Sequence, residues 1–185
     1  RKYNCICAIR RERTELKTNR ENLKSNRKPN LLKRRFRLAR PGEILLTDVS
    51  YLKYGLNRTE YLSCVKDAVS GRVVSHITSS GNDLNLAMDT VDTLDPAEDA
   101  IFHSDQGSLY LNDFFQNRIK ELGYSQSMSR RGNCWDNASQ ESFFGHMKDE
   151  CDLSGCSTPE GVKKMIDDYV YYYNNERPQW TRNKM

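Results

Sequence analysis

Three acidic residues stand where their chemistry can combine. Asp48 lies in Leu45-Leu46-Thr47-Asp48-Val49-Ser50-Tyr51, and Asp105 in Ile101-Phe102-His103-Ser104-Asp105-Gln106-Gly107. Glu141 lies in Asn137-Ala138-Ser139-Gln140-Glu141-Ser142-Phe143-Phe144-Gly145. The first two close apolar, strand-like runs, and the third sits inside a helix-like one. Thirty-five residues separate Asp105 from Glu141. Carboxylates gathered from two strands and a helix repel one another unless a cation lies among them. Their hard oxygens suit Mg²⁺ or Mn²⁺. A pair of such ions can clamp the attacking and leaving oxygens of a phosphodiester. Asp48, Asp105 and Glu141 are therefore the candidate catalytic and metal-ligating residues.

The elements that must position them are legible as a pattern. Residues 44–51, 61–69 and 72–78 read as three consecutive strands, the last rich in β-branched Val73, Val74 and Ile77. Pro41-Gly42 breaks the chain before them, and Tyr54 to Arg58 reads as a turn. Residues 83–94 fit a helix with Leu84, Ala87, Met88 and Val91 on one face. A short strand at 100–103, a helix at 112–122 stopped by Gly123, and a strand at 124–128 follow. A polar loop then leads to the Glu141 helix, which Asp136 or Asn137 can cap. The last helix starts at Thr158-Pro159, a cap followed by proline in the first turn.

Further residues qualify as substrate contacts. Gln106 directly follows Asp105, Arg130 and Arg131 lie in the loop before the Glu141 helix, and Lys148 stands almost two turns beyond Glu141 on the same face. These four are candidate DNA contacts; an exposed loop and a solvated helix face are the plainer alternatives. Asp67 also follows an apolar strand, but a structural role is the simpler expectation. His103 is either a neighbour of the acidic site or a packed strand-end histidine. The tyrosines at 169, 171, 172 and 173 fit core packing better than a base-stacking platform. Arg177 is either a carboxylate partner or a DNA contact.

Charge is unevenly distributed. Residues 1–40 carry fifteen Lys or Arg against three Glu, a net of +12, whereas residues 41–185 carry a net of −8. A basic arm at 1–40 on an acidic core at 41–185 points to a polyanion partner. Leu31, Leu32 and Phe36 can dock the arm on the core. Cys5, Cys7, Cys64, Cys134, Cys151 and Cys156 show no Cys-x-x-Cys pairing, so reduced thiols are expected and a structural zinc site is not. No run is apolar enough to span a bilayer. The charged opening residues are expected to carry no secretion signal, and further residues are expected upstream of Arg1.

Several segments in one order resemble a known family. They are Lys28-Pro29-Asn30-Leu31-Leu32, Thr47-Asp48-Val49-Ser50-Tyr51, His103-Ser104-Asp105-Gln106-Gly107-Ser108, the run from Ser127 to Ala138, Glu141-Ser142-Phe143-Phe144-Gly145 through Lys148, and Tyr172-Tyr173-Asn174-Asn175-Glu176-Arg177-Pro178. The chain resembles, over roughly residues 28 to 182, the catalytic subunit of bacterial insertion-sequence transposases of the DDE type. It departs from that pattern at Leu45 and Leu46, where Trp is common, at Leu109 in place of Gln, and at Gln179 in place of His.

The resemblance implies an α/β, ribonuclease H-like fold: a five-stranded mixed sheet flanked by helices, with a basic N-terminal arm. In it the first and fourth strands are neighbours, which sets Asp48 beside Asp105. The resemblance further implies metal-dependent DNA cleavage and strand transfer, with Mg²⁺ or Mn²⁺ as a pair of ions held by Asp48, Asp105 and Glu141. Water would release a 3′-OH at an element end, and that 3′-OH would attack target DNA. The implied partners are DNA and further copies of the chain assembled on it, in the bacterial cytoplasm and without a membrane. The alternatives are a catalytically inactive DNA-binding remnant and a ribonuclease H-like nuclease.

Overall fold

A computed structural model of the protein describes residues 25–32, 39–130 and 138–178. The expected element order is present. Strands β1 (Ile44–Tyr54), β2 (Arg58–Asp67) and β3 (Val73–Ser79) form an antiparallel meander. Helix α1 (Leu84–Asp92), strand β4 (Ile101–Ser104), helix α2 (Asp113–Glu121) and strand β5 (Ser125–Met128) follow. Helices α3 (Ala138–Glu150) and α4 (Pro159–Asn175) complete the chain. The sheet order is β3-β2-β1-β4-β5, with β1–β4 and β4–β5 parallel. This is the expected five-stranded mixed sheet with β1 and β4 adjacent.

Strand alternation divides the core. Leu52 and Tyr54 of β1 and Leu62 and Cys64 of β2 pack under α3 and α4, with Phe143, Met147, Ile166 and Tyr173. Leu45, Val65 and Phe102 point to the other face, under α1 and α2, with Val91, Phe115 and Ile119. Asp48 shares its parity with Leu52 and Tyr54, so it belongs to the α3 side. β1 runs three residues past the expected end at Tyr51, because Leu52 and Tyr54 are both buried and keep the alternation going.

Local chemistry sets the ends of the helices. Asp83, Asn112 and Thr158 each cap a helix by accepting a hydrogen bond from a first-turn amide. Gly123 follows α2 with φ +84°, and a Cβ there would meet the Ala97 carbonyl oxygen at 2.0 Å. Only glycine fits that turn.

The terminal Asn-Asn-x-Arg segment fastens α4 to the body. The Asn174 side chain accepts from Val73 N–H and donates to Val73 C=O, at 2.9 and 2.8 Å. Arg177 forks onto both oxygens of Glu150, at 3.0 and 2.9 Å from its Nε, while Tyr169 donates to the same carboxylate. Arg177 is thus a carboxylate partner. Tyr169 and Tyr173 are core residues, and Tyr171 and Tyr172 are outward-facing.

Residues 26–32 lie along β5. Asn26 donates to Leu111 C=O and Asp113, Leu31 N–H donates to Ser127 Oγ, and Met128 N–H donates to Pro29 C=O. Leu32 is buried with Ile44 and Leu46, as expected of an anchor, whereas Leu31 is largely exposed. Phe36 and most of the basic arm lie outside the described residues.

Candidate active site

The parallel register brings the two aspartates together. Ile44 pairs with Ile101, Leu45 with Phe102 and Leu46 with His103. Continuing that register two residues sets Asp105 opposite Asp48. Residues opposed in register on neighbouring strands share a face. Asp105 sits just beyond β4 in a tight turn. Its Oδ1 accepts from Gly107 N–H at 2.7 Å, and a Cβ at 107 would stand 2.8 Å from that same oxygen. The glycine of Asp-Gln-Gly is therefore needed for close approach of backbone to carboxylate.

Glu141 arrives on α3, whose start is tied to the sheet next to Asp48. Asp48 pairs with Cys64 across β1 and β2. Gln140 donates to Cys64 C=O at 3.1 Å. Lys66, in register with Leu46, donates from Nζ to Ser139 C=O at 2.9 Å.

Electrostatics show how near the three charges lie. The Asp48 carboxyl is pushed up to about 6 from its usual 3.8. Burial is the main cause; the Val49 amide opposes it, and the charges of Asp105 and Glu141 add to it. The three do not close into a ready ligand cluster: among the described residues no group of three His, Cys, Asp or Glu is drawn tightly enough to hold a metal. The donor chemistry still fits a hard divalent cation, since carboxylates come from three elements and one of them is held against its preference for solvent.

This arrangement has a measurable consequence. Asp48 has a folded-state pKa above its unfolded one, so its favourable contribution is complete below the unfolded value and is lost as pH rises through about 6. Ionised Asp48 should cost the cation-free fold on the order of 2–3 kcal/mol. Asp48→Asn should therefore raise Tm in EDTA by roughly 4–10 °C at about pH 7.5 and leave it unchanged near pH 4. Thermal unfolding at both pH values checks this. An equal shift at both would contradict the assignment.

Gln106 donates to Ser129 C=O at 3.0 Å, so it joins the Asp105 turn to the segment after β5. Arg130 is exposed at the end of that segment, and Arg131 lies outside the described residues, as do Asp136 and Asn137. Lys148 rests over the Tyr51 ring at 4.1 Å, on the wall of a groove of about 620 Å³ that Tyr54, Asn57 and Asp152 also line. Asp67 commits its carboxylate to Gly42 and Val69 amides and the Ser70 hydroxyl, a turn-forming role. His103 is fully buried with Nδ1 on Ser127 Oγ, which makes it a packed strand histidine. Sequence reasoning passed over Lys66 and Gln140. A signal existed for Lys66, which shares the inward parity of Leu62 and Cys64.

Known proteins are similar to this chain in sequence and in fold. The integrase core domain family matches residues 39–134 and, in a second segment description of the same name, residues 122–183. A putative transposase for insertion sequence element IS150 of Escherichia coli is 41% identical over 155 residues, covering 80% of this chain and 54% of that protein. An uncharacterized transposase-like protein of Haemophilus influenzae is 37% identical, covering 81% of this chain and 71% of its own length. The transposase of IS904 from Lactococcus lactis is 32% identical and covered over 61% of its length. The chain thus spans little more than half of the Escherichia coli relative.

Solved structures match in fold. The catalytic core of BIV integrase aligns with a TM-score of 0.58 at 16% identity, covering 74% of this chain and 86% of that one. The HTLV-2 integrase catalytic core in complex with magnesium aligns at 0.57 and 17% identity, over 76% and 92%. The sheet order and these matches together place the chain in the integrase core domain family, alongside the transposases of bacterial insertion sequences.

Proposed function

We propose that this chain is the catalytic domain of a DNA transposase that cleaves DNA and joins the freed 3′ end to a target. The observation that carries the reading is that the charges of Asp105 and Glu141 both reach the Asp48 carboxyl, with β1 and β4 paired in parallel up to Leu46 and His103. Asp48 and Asp105 present ligand oxygens from β1 and from the turn after β4, and Glu141 presents its own from α3. When bound, Mg²⁺ or Mn²⁺ supplies Lewis-acid polarisation of the scissile phosphate and of the nucleophile. The solved HTLV-2 core that shares this fold is in complex with magnesium, which supports the choice of metal; a pair of such ions would serve the attacking and the leaving oxygen together.

The remaining residues orient DNA. Arg130, Arg131 and Lys148 pair with phosphates near the cut, and Gln106 holds the Asp105 turn against the segment after β5, beside the same DNA. Water first attacks a phosphodiester at the element end and releases a 3′-OH. That hydroxyl then displaces a 3′ oxygen in target DNA, so no covalent protein intermediate is needed. Residues 1–40 act as a basic DNA-binding arm, and residues 41–185 as the catalytic core. Copies of the chain assemble on DNA, a reading supported by the likeness in fold to a chain of the simian T-cell lymphotropic virus intasome. Among the described residues no helix is long and apolar enough to cross a membrane. The proposed place of action is the bacterial cytoplasm, where the DNA is.

The test is a strand-transfer assay with end-labelled DNA from the flanks of the coding region and Mg²⁺ or Mn²⁺. The reading expects nicked ends followed by joined products. A folded protein that cuts only RNA–DNA hybrids would overturn it in favour of a nuclease. A folded protein that binds DNA without cutting would overturn it in favour of a remnant.

A further inference from the structure

Two buried polar side chains meet the sheet where α3 begins. Lys66 is 4% exposed and lies among aromatic rings, 5.9 Å from the centre of Phe143 and 5.6 Å from that of Tyr173. Its ammonium donates to Ser139 C=O. Gln140 is fully buried, and its Nε2 donates to Cys64 C=O. Its Oε1 has no hydrogen-bond partner among the described residues.

Neither side chain is an efficient way to stabilise a core. A lysine ammonium loses hydration on burial, and a half-satisfied amide leaves an acceptor without its partner. Apolar side chains of similar length would fill the same space within the cluster of Leu62, Cys64, Phe143 and Tyr173. What the polar groups add is direction. One bond runs from strand to helix and the other from helix to strand, and they seize residues 139 and 140, the two that immediately precede Glu141. Both reach β2 on the Asp48 side, since Cys64 is the register partner of Asp48 and Lys66 that of Leu46. A helix start fixed at two points can neither slide along the sheet nor rotate about its axis.

We infer that Lys66 and Gln140 are positioning residues, a two-point clamp that sets where the Glu141 carboxylate stands relative to Asp48. The inference rests on the proposed role of Glu141 and deepens it. Removing either bond lets the first turn of α3 shift, while the buried face of Phe143, Phe144 and Met147 holds the rest of the helix in place.

Lys66→Met and Gln140→Met in the full chain test the clamp. Three measurements are made on each: Tm, amide hydrogen exchange along α3, and nicking of supercoiled plasmid with Mn²⁺. Tm should be unchanged or higher. Exchange at the amides of residues 142–145 should quicken roughly tenfold, the loss of one strong hydrogen bond, while residues 147–150 keep their protection. The kcat for nicking should fall about 10- to 100-fold with the plasmid KM unchanged, as for other groups that orient a ligand. The double variant should lose little more than either single one, because both serve one placement. Wild-type exchange in both variants would overturn the clamp whatever the activity. So would a fall in Tm with loss of protection over the whole of α3, which marks a merely structural role. A wild type that fails to nick while the exchange result holds counts against the proposed reaction and leaves the clamp standing.

Discussion

Asp48→Asn, Asp105→Asn and Glu141→Gln should each reduce DNA cleavage by more than about a hundredfold, beyond the range expected for residues that only orient a ligand. Each change removes a charge and keeps nearly the same shape. Asp105 is exposed on its turn and Glu141 on its helix, so the core loses little. For Asp48 the cation-free fold should even gain, because its charge is held where burial and two neighbouring carboxylates oppose it. Stability and activity thus move in opposite directions at one residue, a mark of a site kept for function. Losses should be non-additive, since three ligands of one centre act as a unit. Asp67→Asn is the control. Its carboxylate serves Gly42, Val69 and Ser70, so the change should lower stability by about 1–3 kcal/mol and spare cleavage of the folded protein. Loss of cleavage by folded Asp67→Asn, equal to that of Asp48→Asn, would mean that the wrong strand-end acid has been assigned.

The second large effect concerns salt. Residues 1–40 carry a net of +12 against −8 for the remainder. If the arm makes about five phosphate contacts, the log-log salt slope of DNA binding should be about −4 to −5. Affinity should then fall roughly 250- to 1,000-fold between 50 and 200 mM salt. Deleting the arm should flatten the slope across all sequences. Where the deletion ends matters, because residues 26–32 are bonded along β5 and bury Leu32. A chain of residues 25–185 keeps that strap and gives up eight of the fifteen basic residues of the arm, with its three Glu. A chain of residues 41–185 loses the strap too, so its Tm must be followed beside its affinity. Equal slopes for all three chains would return the arm to a solvated tail.

How much of this was legible in the sequence depends on the kind of interaction. Helices and strands announced themselves through periodic apolar residues: Ala87 and Val91 on α1, Val162, Ile166, Tyr169 and Tyr173 on α4. The turn signals were legible too, in Pro41-Gly42, Gly123 and Thr158-Pro159. The carboxylates stood out by order and gap, and the register of β1 with β4 gives that order its geometry. Interactions that end on backbone left no such trace. Nothing in the letters says that Lys66 seeks the carbonyl of Ser139 or Asn174 the strand edge at Val73. The Arg177 fork onto Glu150 joins residues 27 apart, and composition cannot choose that partner from many acids. Of the strap at 26–32 the anchor Leu32 was legible, but the rest of the attachment is hydrogen bonding by polar groups, not burial of an apolar stripe.

Three carboxylates on separate elements are proposed to make one divalent-cation site. Crystals of the chain soaked in Mn²⁺, measured for anomalous scattering, test it most directly. A Mn²⁺ peak is expected between Asp48 and Asp105 with Glu141 turned toward it, absent from Asp105→Asn crystals treated identically. Manganese bound elsewhere, or the same peak persisting in Asp105→Asn, would contradict it.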